Sequence, residues 1–242
     1  AVIQSCTAQM GGGVYYLGMS GSSGTFTLNG GTIQSCKALG GGGGGVCNSG
    51  EFLIMENSLI KDCTSEKDSN KSGGVLNSGQ FTMSGGTVED NVTNSGTINA
   101  DGGKITGEVT NGVDKGPGKI TGTSDDSDKT EFTNTVTNHS NSTLSGFGTF
   151  TGTVINNGGK IIGFCDFEKA NLSGELTVTF DPDNGEQSFT QQVPWCKDGA
   201  ALTEPSPAPT KDGYSFDGWY RGYGWDKWDF DTNKVSYTMT LT

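Results

Sequence analysis

Along the first ninety residues, apolar side chains recur in short alternating segments and never in a helical stripe. Ile3-Gln4-Ser5-Cys6 returns as Ile33-Gln34-Ser35-Cys36, then as Ile60-Lys61-Asp62-Cys63 and Val88-Glu89-Asp90-Asn91. The successive starts lie 30, 27 and 28 residues apart. A Gly-Gly-Val series (Val14, Val46, Val75) runs in phase with these, and so does a Gly-x-Phe-x-apolar series (Phe26/Leu28, Phe52/Ile54, Phe81/Met83). Each period therefore predicts three short strands, with Gly, Asn and Ser supplying the turns between them. A helical repeat of this length would need uninterrupted amphipathic segments, and glycine interrupts every candidate.

Three strands per period, repeated in register, describe a coil that cannot bury its own apolar face but does so when coils stack. Each large side chain placed inside contributes ~1.5–3 kcal/mol, so one coil is insufficient and several cooperate. The predicted fold class is all-β: a parallel β-helix solenoid. Beyond Asn91 the period shortens. Val92-Thr93-Asn94, Val109-Thr110-Asn111, Val136-Thr137-Asn138 and Val154-Ile155-Asn156 alternate with Lys104-Ile105, Lys119-Ile120 and Lys160-Ile161. This predicts narrower coils continuing to residue 174, with Ser124–Thr130 bulging as a loop.

Three expectations follow from stacking. The connections Cys6–Gly11, Cys36–Gly45 and Cys63–Gly73 should share one corner, which becomes the candidate binding edge, since function sits on loops held by rigid scaffolds. Cys6, Cys36 and Cys63 should form a buried ladder of reduced thiols, because rungs ~4.8 Å apart hold the Cβ atoms wider than the ~3.8 Å of a disulfide. The first rung, residues 1–15, should offer an open strand edge suited to self-association, while whatever follows residue 174 caps the other end.

Composition changes near Gly174. All four tryptophans and every proline but Pro117 lie beyond it. Leu176–Phe180 alternates as a strand and runs into Asp181-Pro182-Asp183-Asn184-Gly185, a turn, with Phe189–Val193 predicted to return as a hairpin. Lys211-Asp212-Gly213-Tyr214-Ser215-Phe216-Asp217-Gly218-Trp219-Tyr220, Trp228-Asp229-Phe230-Asp231 and Met239-Thr240-Leu241 complete the module. The domain boundaries read from this are 1–174 and 175–242.

The order Gly-Gly-apolar, Gly-x-Phe, Gly-Gly-Thr-Ile-x-x-Asn resembles the right-handed β-helix repeats of bacterial surface proteins, over residues 1 to about 91. In that pattern the residue three after Ile forms a polar ladder in the turn; here Asn91 keeps it and Cys6, Cys36 and Cys63 replace it. Phe180, Asp181, Pro182, Gly185, Pro209, Gly213, Tyr214, Phe216, Gly218, Trp219, Trp228, Phe230 and Leu241 resemble the internalin-type B repeat, or Listeria–Bacteroides repeat. That resemblance implies a small β-grasp-like domain carried on bacterial surface proteins. Two departures stand out: the aromatic insertion Arg221–Lys227, and a chain that stops before the repeat's Ala-x-Trp ending.

Charge and candidate chemistry narrow the function. The chain is 31% hydrophobic and 17% charged, with 41 glycines and a net charge of −12. An acidic chain with a single arginine, Arg221, has no footprint for nucleic acid. No apolar run approaches a membrane span. Parallel β-helices include pectin-degrading enzymes, which need clustered carboxylates with Arg, Lys or His. Here Arg221 lies in the other module, the single histidine, His139, falls in a loop-like polar stretch, and no rung carries paired carboxylates. Asp125, Asp126 and Asp128, and Asp181, Asp183 and Glu186, lack the ligand spacing of calcium loops. No catalytic residue, metal or cofactor is expected. Trp219 belongs to the core, whereas Tyr223 and Trp225 in the insertion are the tentative ligand-binding residues. The expectation is a non-catalytic, extracellular structural or adhesin-like segment at the bacterial surface or cell wall. Its partner would be a host or bacterial surface protein or glycan. The alternatives are a carbohydrate-binding region of a larger secreted polysaccharide-degrading enzyme, and a subunit of a self-assembling filament.

Overall fold

The computed structural model describes residues 1–18, 24–67, 72–112, 116–122, 129–146, 148–163, 165–222 and 226–242. Its described residues form strands and turns with no helix. Seven coils stack as a parallel β-helix. Its first face is a seven-stranded sheet running from Val2–Gln4 through Thr32–Gln34, Leu59–Lys61, Thr87–Val88, Lys104–Ile105 and Glu131–Phe132 to Thr149–Phe150. The second face carries the Val-x-Asn strands, from Val14–Tyr16 to Thr153–Asn157. The third carries the Phe/Ile strands, from Thr25–Leu28 to Lys160–Ile162.

Register is kept without a slip. Val46 pairs with Val75, Val75 with Val92, Val92 with Val109, Val109 with Val136 and Val136 with Val154, so identical side chains stack in one column. The column is self-selecting, because a one-residue slip would turn every inward valine to solvent. On the third face Phe26, Phe52 and Phe81 stack with ring centroids 5.2 and 4.9 Å apart. On the first face Phe132, Phe150 and Phe167 continue the same device at 4.7 and 5.0 Å.

The narrowing has a single cause. In the first three coils a short extra strand (Thr7–Ala8, Lys37–Ala38, Thr64–Ser65) lies between the first and second faces, and the three pair in parallel. From the fourth coil onward the chain steps directly from Val88 to Val92, Ile105 to Val109, Phe132 to Val136 and Phe150 to Val154. The three faces stay in register and only the corner is lost. Of the expected loop Ser124–Thr130, Lys129 and Thr130 are described; Thr130 is buried and its Oγ1 donates to Gly102 O at 2.7 Å.

The expected boundary at residue 174 falls inside one strand, Asn171–Phe180. Its first half pairs with Thr153–Asn157 as the next rung of the second face. Its second half pairs antiparallel with Phe189–Pro194, the predicted hairpin, and parallel with Met239–Leu241. Gly174 sits where the partners change: its φ is +96°, and a Cβ there would lie 2.1 Å from Asn156 O. The module also covers the other two faces. Trp195 packs edge-on against Phe167 at 5.1 Å, and Thr238 bonds the Ile161 backbone through both its N–H and its Oγ1.

Candidate ligand-binding surfaces

The corner of the first three coils is built by its turns. Ser5, Ser35 and Asp62 adopt φ values of 55°, 54° and 55°, a left-handed step that polar residues tolerate and that turns the next side chain inward. That next side chain is cysteine each time. Cys36 and Cys63 are buried and Cys6 half-buried, and all three are free thiols. Each Sγ donates to the backbone carbonyl two residues before it: Gln4, Gln34 and Lys61, at 3.4, 3.3 and 3.2 Å. Burial, the largest effect, pushes the Cys36 thiol up and the Cys63 thiol up to about 12, so neither is a nucleophile at neutral pH. Asp90 closes the ladder. Its carboxylate accepts the Cys63 N–H at 2.9 Å. Burial raises the Asp90 pKa, against the opposing pull of that hydrogen bond.

Outside the thiols the corner is polar. Gln34 Nε2 donates to Gln4 Oε1 at 2.9 Å, and Lys37 pairs with Glu66 across adjacent coils. The backbone is packed too tightly there for side chains: a Cβ on Gly44 would sit 2.3 Å from Thr64 O and 2.4 Å from Gly73 O. The expected connections thus start from one stacked corner, and their differing lengths fall beyond it.

The principal polar ladder lies elsewhere. Asn91, expected to hold that role, is half-buried, and its side chain accepts the Glu108 N–H at 2.9 Å. The ladder is instead Asn48, Asn77, Asn94, Asn111, Asn138 and Asn156, all on the second face and all buried. Each Nδ2 donates to the Oδ1 of the next asparagine at 2.7–2.8 Å. The Val-x-Asn recurrence carried this signal, since an asparagine two residues after each inward valine must also point inward. His139 ends the strand Val136–His139 beside this ladder, and so does not lie in a loop as expected.

A concavity of about 540 Å³ between the third and first faces is lined, among the described residues, by glycines, small polar residues, Glu56 and Lys129. In the module, Asp181 and Asn184 accept the N–H groups of Asp183 and Glu186, closing the expected turn rather than converging on an ion. Among the described residues no group of three His, Cys, Asp or Glu is placed to hold a metal. Asp125, Asp126 and Asp128 lie outside the described residues, as do Tyr223 and Trp225. Trp219 is buried, as expected, edge-on to Phe180 and Phe189. Two aromatics read as part of the same motif are not core: Tyr214 is 74% exposed and Phe216 40%.

The module's strand order and its buried Trp219 fit the motif read in the sequence. Residues 177–242 match the Listeria-Bacteroides repeat domain. A protein described as a Gly-rich membrane protein of Evansella cellulosilytica is 41% identical over 88 residues, covering 31% of this chain and 10% of that protein. A second membrane protein of the same organism is 38% identical over 88 residues, 31% of this chain and 13% of its own. Internalin H of Listeria monocytogenes is 47% identical over 60 residues, 24% of this chain and 10% of its length. The chain therefore spans about a tenth of the relatives it matches. No solved structure matches.

Proposed function

We propose that the chain is a non-catalytic display segment of a surface-associated extracellular bacterial protein. The solenoid serves as a rigid rod, and the Listeria-Bacteroides repeat continues it. One observation carries this reading. Seven coils hold their register while the corner connections change in length and composition, which is what a scaffold for variable loops requires. The similarity to Internalin H and to two proteins named as membrane proteins supports surface association. Protease treatment of intact cells making the full-length protein tests it. Loss of epitopes raised against residues 36–45 is expected; full protection until the cells are lysed would overturn the reading.

A further inference from the structure

A groove of about 310 Å³ crosses the repeat domain between the turn at Pro182–Asn184 and the segment Pro209–Tyr220. Its volume is at the lower end of small-ligand sites, ~300–1,000 Å³. The walls are tied together: Asn184 Nδ2 donates to Thr210 O at 3.0 Å, and Lys211 Nζ to Asp183 O at 2.9 Å. Two phenol rings line it. Tyr214 is held by its N–H to Lys211 O at 3.0 Å, with the Lys211 ammonium 5.2 Å from its ring centre. Tyr220 donates its hydroxyl to Asp217 Oδ2, and Lys227 bonds Asp217 Oδ1 at 3.2 Å while sitting 6.0 Å from the Tyr220 ring centre. Those hydrogen bonds and the lysine hold the Asp217 carboxyl below its ordinary range.

Ligand chemistry follows by elimination. The rings already carry lysine cations, which leaves little attraction for a cationic guest. An anion would meet Asp183 and Asp217 in a chain of net charge −12, with both lysines already engaged by protein oxygens. A neutral guest with an apolar face and a polar rim fits both the rings and the surrounding amide, hydroxyl and carboxylate groups. A sugar ring has that character, its C–H face lying on a phenol and its hydroxyls reaching the wall. A proline-rich peptide also docks on aromatic rings, but prolines bring no N–H or O–H to the Asp217 carboxylate in the wall, which the hydroxyls of a sugar can reach. We propose that the groove at Tyr214 and Tyr220 binds a neutral glycan chain. This gives the display reading a ligand class and rests on it for biological access, though not for binding itself.

Calorimetric titration of the whole chain with mannohexaose, laminarihexaose, cellohexaose and N-acetylchitohexaose tests the proposal. Decaproline and an oligogalacturonate serve as the competing chemistries. At least one neutral sugar should bind. Tyr214→Ala should weaken it by about tenfold, equivalent to ~1.4 kcal/mol, with Tyr214→Trp retaining binding to within about twofold. Tyr214 is mostly exposed, so the variant folds, and an unchanged circular dichroism spectrum confirms it. Tyr15→Ala, at the opposite end of the molecule, should change nothing. Binding of no neutral sugar, equal binding by Tyr214→Ala, or tighter binding of decaproline or oligogalacturonate would each overturn it. Because protease accessibility reads location and titration reads the groove, failure of one leaves the other standing.

Discussion

The solenoid and the repeat domain hold together by opposite strategies. In the solenoid every column is redundant. Six asparagines, seven inward valines and two short phenylalanine stacks repeat one contact, so each side chain meets copies of itself above and below. In the repeat domain the contacts are single. Trp219 alone gathers Phe180, Phe189 and Phe216 around it, with centroids 5.0, 6.1 and 5.6 Å away. The difference teaches where a substitution is felt: by two neighbouring rungs in the first region, and by a whole core in the second.

Trp219→Ala should have the largest effect. Emptying that site costs ~3–5 kcal/mol, enough to melt a domain of this size. Near-ultraviolet circular dichroism should lose the aromatic signal of the module at a temperature where the far-ultraviolet β signal persists. A single merged transition would break the comparison, since the two regions would then unfold as one.

Asn94→Ala comes next. It removes a donor to Asn111 Oδ1 at 2.8 Å and to Lys119 O at 3.1 Å, and an acceptor for the Gly96 N–H at 3.2 Å. Stranding buried polar groups costs about 2–3 kcal/mol. Urea unfolding followed by far-ultraviolet signal should record that loss in the solenoid, with the module's transition unmoved. A cost below about 0.5 kcal/mol would mean the ladder positions side chains without stabilising them.

How far these features were legible in the sequence depends on their period. The Ile, Val and Phe columns were readable because inward positions repeat with apolar identity. The asparagine column repeats as strictly, but a polar residue within a strand reads as outward-facing unless its offset from the valine is followed. Asn91 drew attention instead, by sitting at the position the cysteines had marked. The loss of the corner after Asp90 appeared only as a shortened period, for nothing in Val88–Val92 says which of three connections has gone. At the candidate surfaces, Tyr214 and Phe216 were absorbed into a motif whose tryptophan is core. Tyr214 is carried outward by the turn at Lys211–Tyr214, and Phe216 meets Trp219 with one edge while remaining 40% exposed.

The smallest effect sharpens the comparison through pH. Burial raises the Cys63 and Cys165 thiols from the ordinary 9.0 to about 12. A folded-state pKa above the unfolded one gives stability that is complete below pH 9.0 and is lost as the pH climbs toward 12. Melting temperature should therefore hold level through neutral pH and fall above pH 9.0. Cys63→Ala should reduce that fall for the solenoid while leaving the contribution of Cys165, at the junction, in place. A fall of the same steepness in Cys63→Ala would place the alkaline sensitivity outside the thiol ladder.

The strand Asn171–Phe180 also decides how the molecule bears load. Tension applied between the solenoid and the C-terminal strand enters Asn171–Phe180 at its start and leaves Met239–Leu241 at its end. These strands run parallel and side by side, with Val178 opposite Met239, Thr179 opposite Thr240 and Phe180 opposite Leu241. Pulled in those directions they slide rather than peel, so their hydrogen bonds, and the Asp181 N–H to Leu241 carbonyl bond at 2.8 Å, share the force and must rupture together. The junction is a shear clamp, and under traction it resists as one piece rather than opening one bond at a time.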